Sequence, residues 1–239
     1  MPRFAALLIT LSLALNLDAQ THLLDSLRNK LYLATSNQEK LDILLVLGQN
    51  QHSLNRDSAY LYTGEALSLA AKSNDRNKAL AALYFAQSYI PWGWIDSAMT
   101  VLDPVLPLYK VDSPATRDLY FQLYRQKAML YGMSTKYKEA LELLYRLIEE
   151  AQRFKDSLAA GSNLNSIGSV AIARQHPSEA LTWCYRALSF STADHRYMPV
   201  EAAVYINLAN ASLMLNRNDS ALFYLNKAIP VARKVENLS

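Results

Sequence analysis

The sequence has a single cysteine, only six glycines among 239 residues, and four histidines far apart. The lone Cys184 excludes an internal disulfide, and its apolar surroundings predict a packing residue. No glycine precedes a Lys-Ser or Lys-Thr pair, which excludes the usual phosphate-binding loop. The histidines have no metal-ligand spacing. We therefore expect no enzyme, and no catalytic residue, metal or cofactor.

Charge of one sign is also scarce. The 24 Lys and Arg nearly balance the 21 Asp and Glu, giving a net charge of +3, and the basic residues are scattered between acids. Nucleic-acid binding needs a basic stripe on one face, so we expect no nucleic-acid partner. With 51% hydrophobic and 19% charged residues, the composition is that of a helical globular protein and not of a disordered one.

The one long apolar run lies at the start of the chain, in MPRFAALLITLSLALNLDAQ. Arg3 precedes it and small or polar residues ending in Ala19 follow it, which is the anatomy of a secretory signal peptide. A membrane anchor is the alternative, but the run is shorter than the ~20 residues that span a bilayer. The sequence thus predicts a signal peptide at 1–19, a single domain at 20–239, export to the periplasm or medium, and no further membrane insertion.

Small residues recur at a long, nearly constant interval along the mature chain. Successive members of the alanine series are separated by 39, 42, 40 and 41 residues. The series is Ala59, Ala98, Ala140, Ala180 and Ala221. A second small residue precedes each alanine by eleven or twelve positions, as Gly48, Ala86, Ala128, Gly168 and Ala209. Small residues at paired positions let two helix backbones approach closely, so these series predict five helix pairs.

The last copy, Tyr205–Ile229, shows the pattern of the unit most clearly. One predicted helical face carries Tyr205, Leu208, Ala209 and Ser212, and a second, after the polar turn at 216–219, carries Ala221, Leu225 and Ala228. This pattern resembles a tetratricopeptide (TPR) repeat. The resemblance covers residues 41–232 and implies an all-α, right-handed α-solenoid of about five antiparallel helix pairs, with a protein or peptide segment as its partner.

Polar residues and prolines between the copies predict helix boundaries. Asn74, Asp112-Ser113 and Asp156 can accept hydrogen bonds from the free amides of a new helix, and Pro114 and Pro199 suit a first helical turn. Pro104 and Pro107 lie inside the second helix of the second copy. We expect that helix to bend or to end early.

The first helices of the copies should line the concave wall of such an array. Residues at i, i+4 and i+7 face neither the partner helix nor the next pair, and they mix apolar groups with neutral amides around one fixed positive charge. The candidate binding residues are Gln87, Arg125, Met129, Asn165, Ser169, Ile206, Asn207, Asn210 and Leu213. The sequence leaves open whether the asparagines bind a partner or tie adjacent helices together.

The loop Pro91–Trp94 is a further candidate, because two tryptophans flank a glycine in a turn. Tryptophan supplies large contact area at interfaces. The alternative is that the loop packs on its own helix pair. We expect Trp94 to pack inward and Trp92 to be the exposed member.

Two functions fit these observations. The first is an exported, non-enzymatic scaffold that binds a protein or peptide segment in the groove. The alternative is the periplasmic sensory portion of a membrane-bound signalling protein, because exported TPR arrays of this kind resemble the N-terminal parts of bacterial histidine kinases and regulators. The sequence does not predict the oligomeric state.

Overall fold

The computed structural model describes residues 23–50, 54–190 and 195–236. Within these ranges the chain forms eleven α-helices and three short 3-10 helices, with no β-strand. The expected all-α fold of sequential helix pairs is confirmed. The expected signal peptide lies outside the described residues. No helix within the described ranges has both the length and the apolar character needed to cross a membrane.

The chain divides into two compact units, Met1–Val101 and Leu102–Ser239, called unit 1 and unit 2 below. In unit 1, α2 packs against α3, and both pack against α4. The helices of unit 1 are α1 (residues 23–33), α2 (Asn37–Gln49), α3 (Arg56–Ala70), α4 (Asp75–Ser88) and α5 (Ile95–Leu102), with a 3-10 helix at Ile90–Trp92.

Unit 2 contains three complete helix pairs in sequence. Its helices are α6 (Arg117–Met133), α7 (Tyr137–Arg153), α8 (Ser157–Ala173), α9 (Pro177–Leu188), α10 (Met198–Met214) and α11 (Asn218–Glu236), with 3-10 helices at Leu106–Leu108 and His195–Tyr197. Each helix packs against the next, and α8 also packs against α6 and α10. The first helices α6, α8 and α10 therefore lie side by side.

The recurring small residues lie where the paired helices meet. Ala98, Ala140 and Ala180 are completely buried, and Ala59 and Ala221 are 5% and 1% exposed. At Gly168 in α8, an added Cβ would lie 2.6 Å from Cys184 Sγ in α9. Such a distance leaves no room for a side chain, so glycine permits this close approach. Cys184 is buried there as a packing residue, and burial raises the pKa of its thiol to about 12.

The predicted starts of most helices are confirmed. The side chain of Asn74 accepts a hydrogen bond from the Asn77 amide, and Asp156 accepts one from the Ala159 amide, each at 2.9 Å. Pro199 lies in the first turn of α10. These contacts satisfy amides that have no partner inside the helix.

The prolines of the second copy also act as expected, since α5 ends at Leu102, before Pro104 and Pro107. The predicted start at Asp112–Pro114 is wrong, because α6 begins at Arg117 after a series of turns. The Arg117 side chain folds back and donates from Nε to the Val111 carbonyl at 2.8 Å. This contact holds the preceding residues in a turn, so the helix begins three residues later than Pro114.

Candidate functional site

The first helix of the last pair presents an exposed row of three predicted binding residues. Ile206 and Leu213 are 46% and 49% exposed, and Asn210 between them is also exposed. They recur at i, i+4 and i+7 on one side of α10, while Leu208 and Ala209 are fully buried on the other. Both sides of α10 thus carry apolar residues. The buried side packs against the neighbouring helices, whereas the exposed row is left largely uncovered by the described chain.

A side-chain network joins α10 to α8 beside this row. Asn207 Nδ2 donates to Asn165 Oδ1 and to Ser169 Oγ, each at 2.9 Å. Both N–H groups of the Asn207 amide are thereby used. Asn207 therefore ties the two helices together, which is one of the two alternatives that the sequence left open. Its neighbours Asn165 and Ser169 are half-buried and remain part of the surface.

Helix α6, the first helix of the earliest complete pair in unit 2, adds a charge to the same side. Arg125 and Met129 on α6 are half-buried, one turn apart. Burial lowers the pKa of the Arg125 guanidinium to about 10, because desolvation disfavours its charged form. At neutral pH the side chain is still a cation.

The predicted binding side chains on these three adjacent helices, apart from Asn207, are together called the recognition face here. It consists of Arg125, Met129, Asn165, Ser169, Ile206, Asn210 and Leu213. The predicted residue Gln87 is half-buried on α4 in unit 1. The recognition face combines amides, hydroxyl and apolar groups with one cation. Such a set can bind a polar backbone and apolar side chains together.

The expected order of exposure in the tryptophan loop is wrong. Trp94 is 48% exposed, whereas Trp92 is half-buried. The Arg56 guanidinium lies 4.0 Å from the centroid of the Trp92 ring, and the Trp94 ring stacks on Trp92 at 5.1 Å. Trp92 is covered because α3 supplies Arg56, a contact between residues 36 positions apart that the loop sequence does not show.

Two features were missed by sequence reasoning. Asn163 on α8 is fully buried, and neither its Nδ2 nor its Oδ1 has a hydrogen-bond partner among the described residues. Leu225, predicted to share the packed face of α11 with Ala221 and Ala228, is 40% exposed. Three further large side chains on α11 are exposed, namely Leu222, Phe223 and Ile229. The run of large apolar residues at 222–225 is the sequence signal that could have indicated them.

The described residues contain no group of three or more His, Cys, Asp or Glu that could hold a metal ion.

Comparison with known proteins places the helix pairs in a family. The family model described as "SusR N-terminal TPR domain" matches residues 18–209. This chain belongs to the SusR N-terminal TPR domain family. The match includes α6 and α8 completely and most of α10, and so covers most of the recognition face. No curated protein matches the chain.

Solved structures support the same fold. The chain is similar to BtubC (BKLC) from P. vanneervenii, with 16% identity over 93% of this chain and 91% of that one, at a TM-score of 0.56. It is also similar to a variant of the nearly identical TPR-like repeats of a putative kinesin light chain from Podosopora anserina. That match has 15% identity, covers 85% of this chain and 100% of the other, and has a TM-score of 0.54. At these identities the likeness shows the fold alone. TPR folds generally serve as protein-interaction scaffolds without enzymatic activity.

Proposed function

We propose that this SusR-type TPR domain is a non-enzymatic scaffold that binds an extended protein or peptide segment on the recognition face. The single observation that carries the proposal is the exposed row Ile206, Asn210 and Leu213 on α10. Exposed apolar residues beside amides are typical of an interaction surface.

The chemistry of the surface suits a polypeptide. An asparagine side chain can donate and accept at once, as the backbone of an extended segment requires. The Asn207 tie fixes α8 against α10 through two hydrogen bonds of 2.9 Å, so the spacing between Asn165 and Asn210 is set before a partner arrives. A preorganised surface loses less entropy on binding. Met129 adds a flexible side chain that adapts to different partners.

A display experiment tests this proposal. A peptide library is selected on wild type, and the enriched peptides are measured against the double variant Ile206→Ala, Asn210→Ala. We expect the variant to lose at least about tenfold in affinity, since each truncation at the centre of an interface typically costs more than 1 kcal/mol.

The matched control is Leu222→Ala, Asn226→Ala on α11, which removes an exposed apolar residue and an exposed asparagine at the same i, i+4 spacing. We expect it to bind as wild type does. If both double variants lost affinity equally while circular dichroism showed unchanged helicity, the peptides would not bind specifically on the recognition face.

The family description favours a second function. The matching model is that of an N-terminal domain, which implies a longer protein in that family. This chain would then be the sensory portion of a signalling protein, exported through the N-terminal signal and acting in the periplasm. Sequencing the coding region beyond Ser239 tests this function. A following apolar segment of ~20 residues and an output domain are expected, and a stop codon directly after Ser239 would contradict it.

A further inference from the structure

Arg125 forms no ion pair within the part of the chain that the structure describes, unlike three other arginines of unit 2. Arg146, Arg153 and Arg174 each form an ion pair with a carboxylate, at 4.0, 3.5 and 3.5 Å. No hydrogen bond or ion pair joins Arg125 to any residue that the structure describes. It is nevertheless half-buried in the middle of α6. A desolvated charge without a partner costs folding free energy.

The other two helices of the recognition face, α8 and α10, offer almost no charge that could neutralise Arg125. The whole of α8, Ser157–Ala173, contains no charged residue. On α10 the only charged residue is Glu201, in its first turn. The recognition face therefore has a positive potential that its own residues leave uncompensated, and a negatively charged group complements it.

Asn163 provides a second unpartnered polar group at the level of Arg125. An added Cβ at Gly132 of α6 would lie 3.3 Å from Val170 Cγ2 of α8, so these positions face each other. The two helices run in the same direction because each is antiparallel to α7. Arg125 and Asn163 each lie seven residues, or about two turns, before that contact. The two residues thus lie at corresponding levels of α6 and α8, and the buried Asn163 amide has no hydrogen-bond partner among the described residues.

We propose that Arg125 binds the side-chain carboxylate of a glutamate or aspartate in the segment that occupies the recognition face. This inference rests on the proposed function and specifies its partner as acidic. The guanidinium is half-buried, whereas Ile206 and Asn210 are exposed. A side-chain carboxylate extends from the backbone and reaches the half-buried cation while the backbone stays at the level of the exposed residues. A C-terminal carboxylate, attached directly to the backbone, does not.

Three peptide libraries test the inference with wild-type protein. The first contains N-acetylated, C-amidated nonapeptides with a central glutamate among randomised uncharged residues. The second has glutamine in its place, and the third has the central glutamine with a free C-terminal carboxylate. The amount of each library retained is measured by mass spectrometry. We expect the glutamate library to be retained at least about tenfold more than the glutamine library, because a charge-assisted hydrogen bond to the glutamate carboxylate strengthens its binding by about this factor.

The variants assign that preference to Arg125. Arg125→Met should abolish it, and Arg125→Lys, which keeps the charge, should retain part of it. The matched control Arg186→Met removes one positive charge from the exposed surface of α9 and should leave the preference unchanged.

Each alternative result has a separate meaning. Equal retention of the glutamate and glutamine libraries, both above an unrelated helical protein, would overturn the acidic partner and leave the scaffold function intact. Stronger retention of the third library would overturn the choice of a side-chain carboxylate. A preference that persists in Arg125→Met would overturn the role of Arg125. No retention of any library would contradict the scaffold function and, with it, this inference.

Discussion

Units 1 and 2 are built from the same kind of helix pair, but they hold neighbouring helices together by different side chains. In unit 1 the rings of Tyr60, Phe85, Tyr89, Trp92 and Trp94 form a continuous aromatic cluster, with centroids 4.8–6.4 Å apart. In unit 2 smaller aromatic pairs, Tyr145–Trp183 and Tyr185–Tyr224, join helices, and the amide of Asn207 also ties two first helices together. This polar tie lies among the predicted binding residues of unit 2.

The turns differ in the same way. Four non-glycine residues of unit 2 have positive φ, and each lies between two helices: Thr135, Lys155, Gln175 and Asn216, at φ 55–61°. In unit 1, Gly93 alone has positive φ among the described residues. Four of the five connections in unit 2 thus contain a residue of positive φ, whereas the connection from α9 to α10 contains the 3-10 helix His195–Tyr197.

The largest expected effect tests the helix contacts that both units share. Ala180→Leu should lower the free energy of unfolding by about 3 kcal/mol, because α8 and α9 leave no space there. Ala180 is completely buried, whereas Ala173 at the end of α8 is exposed. Ala173→Leu therefore makes the same substitution at an exposed position and should change the free energy of unfolding little. Equal midpoints in chemical denaturation would contradict the repeat alignment.

The aromatic cluster of unit 1 is tested by Trp92→Ala. We expect a loss of about 2 kcal/mol, less than for a fully buried tryptophan because Trp92 is half-buried. Trp94→Ala removes the more exposed ring and should cost less than half as much. Thermal unfolding of both variants gives the comparison. A greater loss of stability for Trp94→Ala than for Trp92→Ala would contradict the assignment of Trp92 as the more deeply packed ring.

The polar tie of unit 2 is tested by Asn207→Ala. The substitution removes two hydrogen bonds and should cost about 1–2 kcal/mol. Asn210→Ala, on the exposed row three residues later, should change stability by less than about 0.5 kcal/mol. The denaturation midpoints of the two variants decide whether the asparagines have the separate roles assigned to them.

Arg125→Met should stabilise the unliganded protein by about 1 kcal/mol at pH 7. Burial lowers the folded-state pKa from 12.5 to about 10, so the unfolded chain binds this proton more tightly. The charge therefore costs stability at every pH below about 10, and the cost decreases as the pH rises from 10 toward 12.5. The stabilisation should accordingly shrink in this range. A variant less stable than wild type at pH 7 would show that Arg125 is compensated in the free protein.

The smallest effect concerns the turn after α6. Thr135 is β-branched and has φ 61°, a conformation that side chains disfavour. Thr135→Gly should raise the free energy of unfolding by about 0.5–1 kcal/mol, since glycine adopts positive φ without steric cost. Thr135→Ala serves as the control for loss of the side chain and should gain less. Calorimetric midpoints that fall for the glycine variant would contradict a strained turn.

The helix pairs were predictable because backbone contact restricts residue size. Only alanine or glycine fits where two helices touch, so the series ending in Ala180 and Ala221 marks every pair. Lys127 precedes the small residue Ala128, whereas large apolar residues precede the corresponding small residues of the other copies, as Leu47, Phe85, Ile167 and Leu208. A polar contact accounts for this exception, because Lys127 Nζ lies 2.9 Å from Asp103 Oδ1. The small size of the residues in these series therefore indicates, from the sequence alone, where two helices come into contact.

The site was predictable only in part, because partners across helices decide each role. Asn207 and Asn210 are both polar residues on α10. Their different positions around the helix axis determine that Asn207 reaches α8. The covering of Trp92 depends on Arg56 in another helix, as described above. The spacing of residues within one helix predicts neither of these contacts between helices. The sequence therefore identified the candidate residues, but not which of them hold helices together and which are exposed.

The most direct test of the recognition face is mapping a bound peptide by NMR. A peptide enriched by display is titrated into isotope-labelled protein, and amide and side-chain shifts are followed. We predict that the largest shifts fall on Asn165, Ile206, Asn210 and the Arg125 guanidinium, with little change at Trp94 or on α11. Shifts concentrated at Trp94 or at the exposed residues Leu222 and Ile229 would contradict the account.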